Sequence, residues 1–235
     1  SISAKQVIDE DSDCNLTRVV NDFDLDLRLG KMVSRKLVNV FGYAPRVRTA
    51  FTEMINDTAQ GVADLASTCF LTTALAVRVK AGGNVNDATA GTGARSVVIS
   101  GLDANFQPIS ETVATAGASA SLATTATFLR VFSAEVVEVG TYGGRNTGDI
   151  SIETSGGALM CRIIATQSKS MKATYTVPSG RTCYLRYIRN SVPSDKLATV
   201  QLLARAAADD NTAPFAPVKC VYKTQTQGTS ADDGP

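Results

Sequence analysis

The chain has 235 residues, a net charge of +1 and 19% charged residues, a balance that does not indicate binding to nucleic acid or to an anionic membrane. It contains no histidine and no tryptophan, which excludes Ser-His-Asp and Cys-His nucleophile systems and removes the usual general base near neutral pH. No apolar run approaches the about 20 residues of a membrane span, and the polar, acidic start does not have the pattern of a signal peptide. We therefore expect a non-enzymatic protein of one or two domains without a cofactor.

The five cysteines stand at positions 14, 69, 161, 183 and 220, without a C-x-x-C pair. An odd count at wide spacing argues against a disulfide framework and against a zinc site. Cys161, Cys183 and Cys220 fall at apolar positions of candidate strands. We expect these three thiols to be buried and to pack like small apolar side chains.

The N-terminal fifty residues are predicted to form an extended arm. Residues 1–30 carry seven acids and three bases, whereas residues 31–50 carry five bases and no acid. Such a change of charge suits an arm that lies on a neighbouring subunit, although a solvated terminus is an equal alternative. The arm residues expected at an interface are Lys31, Arg35, Lys36, Phe41, Arg46 and Arg48.

Two shorter elements are predicted near this arm. Residues 23–29 (FDLDLRL) alternate apolar and charged side chains, which predicts a strand with one buried face. The aspartates here do not form a calcium loop, because Leu27 stands where such a loop requires glycine. Residues 51–59 could form the one short helix, with Gly61 as its stop.

From residue 71 the pattern is uniform. Short segments rich in Val, Ile, Thr and aromatic residues are separated by Gly, Asn, Asp and Pro, as in Val177-Pro178-Ser179-Gly180. The predicted strands are 71–80, 95–100, 108–114, 128–139, 148–153, 160–166, 172–177, 182–190, 198–206 and 217–223.

These strands follow one another through short connections and without a βαβ rhythm. The sequence therefore predicts an all-β protein, an antiparallel β-sandwich of the jelly-roll-like kind. Its body spans residues 51–235, with 71–167 and 172–223 as possible halves.

Two features could be mistaken for catalytic or phosphate sites. Gly91-Thr92-Gly93 precedes a strand and not a helix, so these glycines are interpreted as turn residues. Glu111, Glu135, Glu138 and Glu153 lie on candidate strands and could supply the two carboxylates of a glycosidase. The alternative, which we favour, is that these acids face solvent and protect sheet edges.

A basic and aromatic segment follows the turn at residues 177–180. Alternation along a strand would send its side chains to opposite faces, which argues against one stacking platform for nucleic acid. Arg and Tyr are enriched in protein–protein contacts, so an interface is predicted instead. Its residues are Arg181, Tyr184, Arg186, Tyr187 and Arg189.

The stretches NDATAGTGARSVVISGLDAN (86–105), ISETV (109–113), TFLRV (127–131) and NTGDISI (146–152) follow one another in the strand-rich region. With NVFGYAP (39–45) upstream and YTVPSGRTCYL (175–185) downstream, this succession resembles a family of virion structural proteins of tailed phages that infect aquatic bacteria. The resemblance covers residues 38–205 and supplies no catalytic residue. The chain departs from the family in its charged leader and in its end, ADDGP, where one or two further strands are expected. Either the final strand is missing from this sequence or a neighbouring subunit supplies it.

The resemblance implies a structural subunit of the virion, at the neck, tail or baseplate or as an adaptor for fibres. We expect it to form a homo-oligomer (trimer, hexamer or dodecamer) and to dock on other virion proteins, without direct contact to nucleic acid or membrane. Two alternatives stay open. One is a capsid decoration or cement protein, and the other is a glycan-binding or depolymerising appendage.

Overall fold

The computed structural model describes residues 36–42, 70–80, 84–185, 188, 190–192, 197–204 and 219–227. Within these ranges the chain contains eight strands and no helix, and every ladder is antiparallel. The all-β antiparallel class is therefore confirmed for the described residues. The strand predicted at 23–29, the helix predicted at 51–59 and most of the predicted arm lie outside them.

Six strands form one sheet in the order β3-β2-β4-β1-β5-β6. Their bounds are β1 Phe70–Lys80, β2 Ala94–Leu102, β3 Pro108–Ala114, β4 Thr127–Val139, β5 Ile150–Thr154 and β6 Leu159–Ile163. A separate pair is formed by β7 (Leu197–Ala204) and β8 (Lys219–Gln227). The jelly-roll-like sandwich stays a prediction, since the described strands form one six-stranded sheet and one pair.

Strand β1 changes partners along its length. Residues 70–76 pair with β4, whereas residues 77–80 pair with β5 on the opposite edge. On the side that β4 has left, Thr124 and Ser121 donate backbone N–H groups to the carbonyls of Val77 and Val79 at 2.7 and 2.8 Å. The segment before β4 thus continues the sheet by hydrogen bonds, although it is not itself a strand.

The core lies on one face of this sheet and follows the predicted alternation. Val77 and Val79 of β1 are fully buried, and Arg78 between them reaches Glu153 on β5. The pairs predicted to share a face are buried together: Val97 with Ile99, Ile150 with Ile152, and Cys161 with Ile163. Phe128, Val131 and Ala134 of β4 and Met160 of β6 complete the cluster.

The buried ammonium group of Lys172 joins two strands that are not neighbours in the sheet. Its Nζ donates to the carbonyl oxygens of Val131 on β4 and Met160 on β6, at 2.7 and 3.1 Å. Because both carbonyls contact one side chain, β4 and β6 lie close together despite the two strands between them. The sheet must therefore bend strongly at β1 and β5.

In the described residues, two of the predicted strands do not form. The described residues of 172–177 and 182–190 form no strand, and their region instead holds a turn at 179–180. The residues have strand-forming side chains, but a strand also requires a partner that accepts its backbone hydrogen bonds. The turn itself is confirmed: Arg181 N–H donates to the Pro178 carbonyl at 3.1 Å, and Gly180 takes the predicted positive φ of 71°.

Candidate interaction site

Four of the predicted interface residues lie in described segments, and all four are exposed: Lys36, Phe41, Arg181 and Tyr184. The exposed fraction is 58% for Phe41 and 79% for Tyr184. The others, Lys31, Arg35, Arg46, Arg48, Arg186, Tyr187 and Arg189, lie outside the described residues.

The segment from Arg181 to Leu185, here called the Tyr184 segment, has five consecutive exposed residues. The described residues of this segment form no strand, so alternation between two faces is not observed for them. Tyr184 and Leu185 are exposed at 79% and 62%, and Arg181 is exposed as well.

Two contacts fasten the chain just before this segment to the six-stranded sheet. Ser179 N–H donates to the carbonyl of Phe106 in the β2–β3 turn at 2.9 Å. The ring of Tyr175 packs on Phe132 of β4, with 4.8 Å between centroids and 35° between planes. Phe132 is available for this contact because it is a bulged residue: Gly101 pairs with Val131 and Ser100 with Ser133, which leaves Phe132 without a partner.

The β2–β3 turn that receives Ser179 is itself held by specific contacts. Asp103 Oδ1 accepts the backbone N–H groups of Asn105 and Gln107, both at 2.8 Å. Phe106 takes a positive φ of 57°, an unusual conformation for a bulky residue, and its ring lies 5.7 Å from the Arg130 guanidinium carbon. The chain just before the Tyr184 segment is therefore bound to a β2–β3 turn that is itself stabilised by hydrogen bonds.

Tyr175 and Cys183 form the one titratable pair with a resolved interaction near this segment. Burial, and secondarily an electrostatic contribution from Cys183, raise the pKa of the Tyr175 phenol above its ordinary value of 10.0. Cys183 is exposed, so the prediction of a buried thiol there is wrong, whereas the prediction for Cys161 is confirmed. The side chain of Cys220 lies outside the described residues.

A buried carboxylate organises the loops at one end of the sheet. Asp87 has no exposed surface, and its Oδ1 accepts the N–H groups of Ala94 and Thr147 at 2.7 and 2.8 Å. Its Oδ2 accepts the N–H of Gly148 at 2.7 Å. A Cβ atom at Gly93 would collide with Asp87 Oδ1, so glycine is required there for a steric reason. Gly91-Thr92-Gly93 thus belongs to a structural loop, in agreement with the prediction that these are turn residues.

Asn146, also fully buried, extends this loop cluster to the chain that follows β6. Its Nδ2 donates to the carbonyls of Gly148 and Ile164 at 2.7 and 2.9 Å, and its Oδ1 accepts the N–H of Ser168 at 2.9 Å. Sequence reasoning missed the roles of both Asp87 and Asn146. The one available signal was the proximity of Asp87 to two glycines, which indicates a tight loop but not a buried charge.

Three of the four glutamates considered as candidate catalysts are engaged in contacts within the fold. Glu111 accepts the backbone N–H groups of Thr125 and Ala126 at 2.9 and 2.7 Å. Glu153 is mostly buried and receives Nε and Nη2 of Arg78 at 2.9 and 2.7 Å. Glu135 lies 3.1 Å from Lys169 Nζ. These interactions give each carboxylate a structural role.

In the described part of the chain no group of three or more Cys, Asp or Glu side chains is placed to hold a metal ion. The same residues include no helix long and apolar enough to cross a membrane. Comparison with family models, curated proteins and solved structures gave no match to this chain.

Proposed function

We propose that the chain is a structural subunit of a tailed-phage virion, which acts by assembling with copies of itself and docking on other virion proteins at the neck, tail or baseplate, or as an adaptor for fibres. The phage assignment is supported by the resemblance of residues 38–205 to such proteins. The mode of action is supported by the surface of the described chain.

The observation that carries the proposal is the Tyr184 segment. A monomer that displays a tyrosine and a leucine side by side, 79% and 62% exposed, leaves in water two side chains whose burial would be favourable. Tyr and Arg are the residue types that most often dominate binding energy at protein interfaces. The segment emerges from a fixed turn, so less conformational entropy is lost when a partner covers it.

Two further apolar side chains are accessible. Val40 and Phe41 are 44% and 58% exposed. Both belong to the segment predicted as an interface arm. Two places with exposed apolar side chains suit a protein that contacts more than one neighbour.

The experiment compares the assembly of three proteins by sedimentation velocity over a range of concentrations. The intact chain should form an oligomer of defined size. The double variant Tyr184→Ser, Leu185→Ser should dissociate, with a dissociation constant raised at least about tenfold, because two central apolar contacts are lost. Both substitutions are at exposed sites, so the melting temperature should stay near that of the parent.

Leu122→Ser is the matched control, since Leu122 is 90% exposed but lies far along the chain from the Tyr184 segment. It should not change the oligomer. An intact chain that stays monomeric at high concentration, or a control that dissociates as the double variant does, would contradict assembly through this segment. The virion assignment is tested separately by mass spectrometry and cryo-EM of purified particles. The chain should be present in them, and its absence would contradict the assignment.

A further inference from the structure

Strand β3 forms one edge of the six-stranded sheet, and its ladder with β2 is regular over seven residue pairs. The seven residues of β3 pair one to one with β2, from Leu102↔Pro108 to Ser96↔Ala114, without a register shift. The ladders β1–β4, β2–β4, β5–β6 and β7–β8 all contain such shifts. Bulges are a common means by which proteins prevent sheet edges from pairing. The β3 edge lacks this protection.

The hydrogen bonds at the two ends of the hairpin show which backbone groups of β3 point outward. Asp103 N–H donates to the Gln107 carbonyl at 3.0 Å, and Thr115 N–H donates to the Arg95 carbonyl at 2.9 Å. In an antiparallel ladder the residues bonded to the partner alternate. Ile109, Glu111 and Val113 therefore bond to β2, and the N–H and C=O groups of Ser110, Thr112 and Ala114 point away from it.

Among the described residues these outward groups have no hydrogen-bond partner, and the side chains of Ser110, Thr112 and Ala114 are exposed. The opposite edge of the sheet differs. There the Met160 carbonyl of β6 receives Lys172 Nζ at 3.1 Å, so this backbone group has a partner. Within the described residues, the outward backbone groups of β3 have none.

The side chains along this edge of β3 allow another extended strand to pair with it, including the same strand from a second copy. Its three outward residues are small and uncharged, and Pro108, which lacks an N–H group, stands only at the first position. The single charged side chain of β3 is Glu111, whose carboxylate is held by Thr125 and Ala126 N–H on the other side. Two copies of this edge can therefore approach each other without placing like charges face to face.

We propose that two copies of the chain pair their β3 strands antiparallel about a two-fold axis at Thr112, which joins their six-stranded sheets into one. This inference rests on the proposed self-assembly and names one of its contacts. In this register Thr112 faces Thr112 of the second copy, and Ser110 faces the second copy's Ala114. Paired threonines are favourable neighbours across strands. A register centred one residue earlier would set Glu111 against Glu111, which is unfavourable.

The register is tested by disulfide crosslinking in a Cys183→Ser background, with diamide as the oxidant. In a hydrogen-bonded antiparallel pair the facing Cα atoms lie about 5.5 Å apart, within the range that a disulfide spans. Thr112→Cys should therefore give a covalent dimer as the main product. Ser110→Cys is the matched control, because its two copies would lie about 14 Å apart and should crosslink no more than the background protein.

Thr112→Pro tests the hydrogen bonds themselves. Proline removes the outward N–H group and leaves the β2 ladder intact, since edge strands accept proline at such positions. The dissociation constant of the dimer should rise about tenfold or more, because two symmetric hydrogen bonds are lost. The melting temperature at low concentration reports whether the variant folds, and the cysteine variants test the same contact without proline.

The outcomes separate the two proposals. If the intact chain assembles but Thr112→Cys crosslinks no better than Ser110→Cys, pairing through β3 is overturned and assembly through the Tyr184 segment stands. If the intact chain is monomeric at every concentration, both proposals fail. Selective crosslinking at Thr112 supports pairing in this register.

Discussion

Asp87 has no exposed surface, and its side-chain oxygens accept hydrogen bonds from three backbone N–H groups. Hydrogen bonds to charged groups are stronger than those between neutral groups, which compensates for the loss of hydration. The three donors come from separate positions, Ala94 at the start of β2 and Thr147 and Gly148 before β5. One side chain thereby fixes the connection of these strands.

We expect Asp87→Asn to lower the free energy of unfolding by about 3 kcal/mol. The asparagine keeps one acceptor oxygen, but its NH₂ group would face the N–H groups of Thr147 and Gly148. Urea denaturation measures the loss. Asp103→Asn is the control, because Asp103 caps an exposed turn through one oxygen that asparagine retains, and it should cost at most about 1 kcal/mol. Equal losses would contradict the role assigned to burial.

Tyr175 gives the protein a predictable response to alkaline pH. Its pKa is raised in the folded state above 10.0, first by burial and then by Cys183. Above about pH 10 the unfolded chain releases this proton more readily than the folded one, so the stability contributed by the neutral phenol falls as pH rises through the folded pKa. Below the unfolded pKa that contribution is complete.

Tyr175→Phe keeps the ring on Phe132 and removes the titrating group. Stability of this variant should decline less steeply above pH 10 than that of the parent, as measured by denaturation at several pH values. Cys183→Ser should have a smaller effect in the same direction, since Cys183 is the lesser cause. A parent and a Tyr175→Phe variant with identical alkaline profiles would show that this phenol titrates normally.

At the scale of elements, side chains donate or accept hydrogen bonds with β1 where its backbone pairing with β4 is interrupted. Phe70 pairs with Arg130 and Leu75 with Phe128, so several residues of β1 oppose a single residue of β4. Across this gap Arg130 Nη1 donates to the Leu71 carbonyl at 2.9 Å. Further along, Thr124 Oγ1 accepts Val77 N–H at 3.0 Å and donates to the Ala126 carbonyl at 2.7 Å. These side chains replace hydrogen bonds that a regular ladder would supply.

Thr124→Val tests this replacement, because valine has the shape of threonine without its hydroxyl. It leaves the buried Val77 N–H without this acceptor and should lower the free energy of unfolding by about 1–2 kcal/mol. Thr125→Val, at the exposed neighbouring position, should change it by about 0.5 kcal/mol or less. Thermal denaturation of both variants provides the comparison, and a loss no larger for Thr124 than for Thr125 would argue against the role of the hydroxyl.

The sequence predicted individual elements well where alternation and turn residues coincide. The strands expected at 71–80, 108–114 and 128–139 are found within one residue of those bounds, because Val, Ile and Phe alternate there between clear breaks. The strand expected at 182–190 has the same composition but no described partner. Side-chain pattern reports the tendency to extend, whereas a strand forms only when another segment completes its hydrogen bonds.

For the whole molecule, the order of strands and the loop cluster could not be predicted from one sequence. Alternation in β1 indicates a buried face, but it does not say that one half pairs with β4 and the other with β5. Nor does the sequence distinguish Asp87 from the other acids, since its burial depends on three segments that meet only in the fold. The composition of residues 181–185 predicts an interface, and these residues are exposed; the interface itself stays a prediction.

A two-fold contact through β3 would limit the size of the assembly. Of the trimer, hexamer and dodecamer expected from the resemblance, only the latter two can contain two-fold axes. The sedimentation experiments described above should therefore give an even number of copies. The Tyr184 segment, on different residues, is free to form the second contact that such an assembly needs.

The divided partnership of β1 has a consequence for how the protein is made. The first half of β1 can pair only after Arg130 of β4 has been synthesised, and the second half only after Thr154 of β5. At synthesis rates of about 5–20 residues per second, β1 leaves the ribosome several seconds ahead of β5. The hairpin of β2 and β3 is local and can form in that interval, while the apolar residues of β1 stay unpaired and open to chaperones or to a neighbouring nascent chain. We therefore expect the bend that brings β4 and β6 together to form after the β2–β3 hairpin, since it needs β5 and β6, which are synthesised later.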